Sequence, residues 1–120
     1  MRPGDPATTM NVLHRQDLLD RVGGDTELAD ELLELFRDEM VELRDRVIEA
    51  VARGDASELA ASAHGLKGSS ANVGAVGIQA VAHELEQAGR SRSLEGAGAA
   101  CERLDLAIAA LLEELGERVA

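Results

Sequence analysis

Apolar and polar positions recur along most of this chain with the three- and four-residue steps of amphipathic helices. Over residues 11–22, Val12, Leu13, Leu18, Leu19 and Val22 predict a short leading helix, which Gly23 and Gly24 end. Asp25 is a good N-cap for a longer helix. In it Leu28, Leu32, Leu35, Phe36, Leu43, Val47 and Val51 share one face, opposite Glu, Asp and Arg. Gly54 closes that helix. Asp55 and Glu58 have capping-box spacing, with Asp in place of Ser or Thr, and open a third helix through Leu59, Ala63, Leu66 and Val73. Gly74 stops it. A fourth helix is expected from about Ala75 to Ala88, with Ile78, Ala82 and Leu85 inward, and Gly89 to Ser93 as the loop after it. In the last helix Ala97, Cys101, Leu104, Ile108, Leu111 and Leu115 are in register.

Each of the four longer helices has one apolar stripe, so they must bury those stripes together. The pattern predicts an all-α fold: an antiparallel up-down-up-down four-helix bundle with a short N-terminal capping helix. Residues 1–10 hold both prolines and no periodic pattern, and are expected to form a disordered tail. Residues 11–120 then make one domain, with no internal repeat. A monomer is expected, because all four stripes can be buried within one chain.

Composition supports this reading and narrows the function. The apolar residues are mostly Leu, Ala and Val, with one Phe and no Trp or Tyr, which favours helices over strands. The net charge of −11 argues against nucleic acid and anionic membranes as partners. No apolar run is long enough to span a bilayer, and no secretory signal pattern opens the chain. The single cysteine, Cys101, excludes an intramolecular disulfide and a cysteine-rich zinc site. A cytoplasmic location is the expectation.

The chemistry lies in Ala63-His64-Gly65-Leu66-Lys67-Gly68-Ser69-Ser70-Ala71-Asn72. A helix turns about 100° per residue, which places His64 about 140° from the centre of its helix's buried stripe, facing solvent or the groove beside the next helix. Its neighbours on that face are Ser57, Ala60, Ala61, Lys67, Gly68 and Ala71. All but Lys67 are small, so another protein could approach the ring. Glycine inside a helix costs ~1 kcal/mol relative to alanine, so Gly68 needs a reason, and room beside a reactive imidazole is one. Lys67 is within reach of anything bonded to the ring and could neutralise a phosphoryl group there. No G-x-x-x-x-G-K-[ST] loop is present to supply ATP, so His64 would take its phosphoryl group from another protein.

A-H-G-L-K-G-S-S-A-N-V-G-A, followed by Leu85-Glu86, resembles the signature of the histidine-containing phosphotransfer (HPt) domain family of two-component phosphorelays. The E-L-L-E-L-F stretch at 31–36 also resembles that family's second helix, and the likeness covers about residues 12–115. The resemblance implies that His64 is phosphorylated, that Lys67 stabilises the phosphate, and that Gly68 clears space. It further implies that Glu86 hydrogen-bonds the ring, fixing its tautomer and leaving Nε2 free to attack. The implied partners are response-regulator receiver domains and a sensor histidine kinase, which can be a hybrid one. The chain would bind no cofactor or metal itself, with Mg²⁺ held by the receiver, and would act as a carrier with no ATP-dependent kinase activity of its own. Ser57, Ala60, Ala61, Gly68 and Ala71 form the expected docking face, with adjacent parts of the second helix.

Blander readings compete with these. Glu86 sits at the edge of its helix's buried face and could equally be a surface charge. His83 and His14 have no constellation around them and are expected to be ordinary residues. Ser70 points close to the core and is expected to pack helices. Cys101 is expected in the core. A di-metal carboxylate bundle needs inward Glu-x-x-His pairs, and none occurs. The alternative function is a helical binding module that modulates a kinase or response regulator without phosphotransfer.

Overall fold

The computed structural model describes the backbone of residues 13–119 and the side chains through residue 116. The expected tail and Val12 of the leading helix lie outside the described residues. Among those, five helices follow one another with no strand: α1 (Arg15–Arg21), α2 (Thr26–Arg53), α3 (Ala56–Val73), α4 (Val76–Ser91) and α5 (Ala97–Val119).

The helix boundaries follow the local chemistry of the chain. Asp25 accepts a hydrogen bond from the Leu28 N–H and starts α2; Gly54, left-handed at φ 68°, ends it. Asp55 caps α3 by accepting from the Glu58 N–H at 3.0 Å. The reciprocal half of the capping box does not form. The Asp55 N–H donates to the Ala50 carbonyl instead, and the Glu58 carboxylate pairs with Arg46 of α2. Gly74 ends α3 at φ 76°, and a Cβ there would also lie 2.8 Å from the His14 carbonyl oxygen. Only glycine meets both conditions. The His14 N–H donates to the Gly74 carbonyl at 2.7 Å, tying the lead-in of α1 to the end of α3.

The core draws on every helix: Leu18 of α1, Phe36, Met40 and Val47 of α2, Leu59 and Leu66 of α3, Ile78 and Leu85 of α4, Leu104 and Leu111 of α5. The helices pack α2 on α3, α3 on α4, α4 on α5 and α5 back on α2, with α1 against α2 and α3. Arg46–Glu58 and Glu39–Ser69 contacts run in opposite order along α2 and α3, so these two helices are antiparallel.

Two expectations are corrected. Leu28 and Leu35 are 40% and 66% exposed, while Ala29, Leu33 and Met40 are buried. The line that faces the core is 29-33-36-40-43-47-50, one position on from the leucines at 28, 32 and 35. Alanine or methionine at three of its positions, 29, 40 and 50, blunts the apolar signal there. The second correction concerns α4, which continues through Gly89 to Ser91 where a loop was expected. A Cβ on Gly89 would sit 2.6 Å from the Ala60 nitrogen and 2.8 Å from the Ala56 oxygen. This glycine therefore allows the end of α4 to lie against the first turns of α3, and does not stop the helix.

Candidate functional site

The close approach at Gly89 holds the last two turns of α4 beside His64 on α3. Glu86 projects from α4 into the seam between the two helices and is only 1% exposed. A buried carboxylate is costly unless it is paired, and three basic side chains converge on this one. His64 Nδ1 lies 2.9 Å from Glu86 Oε2. Lys67 Nζ lies 2.6 Å from Oε1, an ion contact without the directional geometry of a hydrogen bond. The Arg90 guanidinium meets Oε2, one helical turn beyond Glu86. The Lys67 ammonium, more than any other neighbour, holds the Glu86 carboxyl at about 2; burial opposes this, while the His64 contact and the Arg90 charge reinforce it.

The tautomer of His64 follows from this pairing. An ionised carboxylate can only accept hydrogen bonds, so Nδ1 carries the ring proton and donates it to Glu86. The Nε2 lone pair is left on the side away from Glu86, on a side chain that is 63% exposed. The result is a ring held on one side, a nitrogen open on the other and a cation close by.

The surroundings of the ring are open. Ser57, Ala61 and Gly68 are exposed, and Ala60 and Ala71 half-buried. A Cβ on Gly68 would meet nothing within 4 Å, so this glycine keeps solvent-facing space clear. Beyond it a cleft of about 500 Å³ runs between α3 and α4, lined by Lys67, Gly68, Ala71, Val76, Gln79, Ala80 and His83. Ser69 donates to Glu39 of α2 at 2.7 Å, and Ser70, fully buried, donates to the Leu66 carbonyl at 2.7 Å. Both serines hold the helix and its neighbour; neither faces the ring.

Residues 31–115 match the family model of the Hpt domain. The chain belongs to the Hpt family. Its fold is similar to that in the crystal structure of histidine-containing phosphotransfer protein B (HptB) from Pseudomonas aeruginosa PAO1. The two share 30% sequence identity and a TM-score of 0.75, over 81% of this chain and 84% of that one. No curated protein matches the chain. Family membership and this fold assign the Hpt chain to histidine phosphotransfer within a phosphorelay, where it works with receiver domains and kinases.

Of the residues singled out in the sequence, the structure brings His64, Lys67 and Glu86 into direct contact. Glu86 is not a surface charge, because it points into the seam. His83 is exposed and stands apart from the ring, on the cleft. His14 is distant from the group, near Asp17. Cys101 is buried. Among the described residues no three His, Cys, Asp or Glu side chains gather as metal ligands, and no helix is long and apolar enough to cross a membrane. The sequence pattern does not single out Arg90, because Gly89 before it reads as a helix end. The available signal was the four-residue step from Glu86 to Arg90, the spacing of a helical ion pair.

Proposed function

We infer that the chain carries its phosphoryl group on Nε2 of His64. The observation that supports this most directly is the hydrogen bond from Nδ1 to the buried Glu86, which leaves only Nε2 with a lone pair facing solvent. A receiver presents a phospho-aspartate. As Nε2 attacks the phosphorus in line, the N–P bond forms, the P–O bond breaks, and the donor's aspartate leaves as a carboxylate. A second receiver's aspartate later takes the group by the reverse steps. Lys67 meets the charge on the phosphoryl oxygens, and Glu86 holds the ring through Nδ1. Such chemistry rests on positioning and charge neutralisation. Mg²⁺ belongs to the receiver, and this chain binds no cofactor of its own.

Ser57, Ala60, Ala61, Gly68 and Ala71 form the face on which the receiver rests. The five helices are arranged as an antiparallel up-down-up-down four-helix bundle, α2 to α5, with α1 as a short cap over the end where α3 turns into α4. The protein acts as a monomer in the cytoplasm, with residues 11–120 as one domain.

Transfer from a panel of phosphorylated receivers tests this reading. Label is expected to reach the wild-type chain and not a folded His64→Gln variant, in a bond that is acid-labile and base-stable. Label on both proteins would place the phosphoryl group elsewhere. Binding of receivers without label on either would favour a docking module.

A further inference from the structure

The cluster around Glu86 holds more positive charge than the free protein needs. One buried carboxylate faces two permanent cations, Lys67 and Arg90, and one imidazole. Lys67 occupies Oε1, whereas Arg90 and His64 Nδ1 share Oε2. The Arg90 side chain is 60% exposed and has a long, flexible stem, so little beyond this contact holds it in place.

Phosphorylation changes the charges in a definite way. A neutral ring that attacks through Nε2 keeps its proton on Nδ1 and becomes a positively charged phospho-imidazolium. The donor's aspartate leaves as a carboxylate, so charge balances. Glu86 then faces three cationic donors, two of them on one oxygen. The phosphoryl oxygens, meanwhile, carry close to two negative charges beside the same ring. The Nδ1–H bond to Oε2 strengthens as the ring becomes cationic, and Arg90 is the competitor for that oxygen.

We propose that Arg90 is a second phosphoryl-binding residue, parked on Glu86 in the free protein and released to the phosphoryl group when His64 is phosphorylated. This rests on His64 being the phosphorylated residue. Glu86 then has two successive tasks. It stores the guanidinium beside the ring before transfer and holds the imidazolium afterwards, so the cation reaches the phosphoryl group by a side-chain swing with no movement of the backbone. A guanidinium suits the second state, since its fork of donors matches two phosphoryl oxygens.

The test uses the full chain, phosphorylated with phosphoramidate and followed by the ³¹P resonance of phosphohistidine as pH is varied through its second ionisation. A guanidinium on the phosphoryl oxygens favours the dianion. Arg90→Gln is therefore expected to raise the midpoint by about half a pH unit or more, with Arg90→Lys recovering part of the shift. The side chain is largely exposed, so both variants are expected to fold, as circular dichroism will show. An unchanged midpoint in Arg90→Gln overturns the proposal. So does a variant that alters only the ring resonances of the unphosphorylated protein, which is the mark of an arginine that merely tethers Glu86. A wild-type chain that takes no phosphoryl group on His64 fails one step earlier, and overturns the function reading and this proposal together.

Discussion

His64 gains its character from a side chain twenty-two positions away. An isolated imidazole exchanges its proton between two nitrogens, and a hydrogen-bond acceptor held against one of them fixes which nitrogen is free. Glu86 provides that partner because three basic groups compensate its burial. Its carboxyl is pulled from 4.5 to about 2. A group whose folded pKa is depressed contributes stability that is fully present above its ordinary value and is lost as pH falls through the folded one. Acid unfolding of Glu86→Gln should accordingly be less steep between those two values than that of wild type, with lower stability at neutral pH; parallel curves would contradict the burial argument. Removing the Lys67 ammonium by Lys67→Ala is expected to slow transfer by roughly 10-fold or more while the helical signal is retained. An unchanged rate would make it a surface charge only. Gly68→Glu should fold, since a Cβ there meets nothing within 4 Å, and should block transfer by filling the approach. Gly68→Ala should raise stability by about 0.5–1 kcal/mol, as mid-helix glycines do when replaced without a clash. The site was legible in the sequence at His64, Lys67 and Gly68, where spacing on a single helix fixed their common face. Glu86 and Arg90 were harder to read, because their roles depend on how α4 is rotated against α3, which periodicity within one helix does not specify.

Caps and stripes account for most of the helix boundaries, and Gly89 shows where local rules are overridden. Read alone, a glycine after a run of helix formers marks an end. Here the backbone of α3 lies so close that no side chain fits, and α4 continues past it. Gly89→Ala must push α4 away from α3, because the obstacles are backbone atoms at 2.6 and 2.8 Å. The expected cost is about 1–3 kcal/mol in a urea melt. Because Glu86 and Arg90 lie on the displaced turns, a fall in transfer rate should accompany it; a variant as stable and active as wild type would mean that the approach is looser than the geometry indicates. On α2 the sequence pattern placed the right helix and put Phe36, Leu43 and Val47 on its buried line, but set Leu28 and Leu35 there in place of Ala29 and Met40. Leucines at 28 and 35 outshone the alanine and methionine that reach the core, and strength of hydrophobicity is a weaker guide than position within a 28-residue helix.

For the molecule as a whole, stability rests on the shared core, and charge pairs trim the surface. Arg44 forks onto Asp105 at 2.8 and 2.9 Å, joining α2 to α5, and Arg103 pairs with Glu84 at 2.8 Å, joining α4 to α5. All four side chains are partly exposed and screened by solvent, so the Arg44–Asp105 pair is worth roughly 0–1 kcal/mol and the Arg103–Glu84 pair adds little. Asp105→Asn should shift a urea melt by less than about 1 kcal/mol, and by less still in high salt. Leu104→Ala, in the fully buried centre of α5, should cost about 2–5 kcal/mol. The acidic balance of the sequence did not foretell this division, since net charge bears on partners and solubility more than on fold.

The most direct test of the central claim is to identify the phosphorylated nitrogen. ¹⁵N-labelled protein, phosphorylated by a receiver, can be read by ¹⁵N–¹H correlation across the His64 ring. A phosphoryl group on Nε2, with Nδ1 still protonated, is expected from the Glu86 hydrogen bond. A phosphoryl group on Nδ1, or on any residue other than His64, would contradict it.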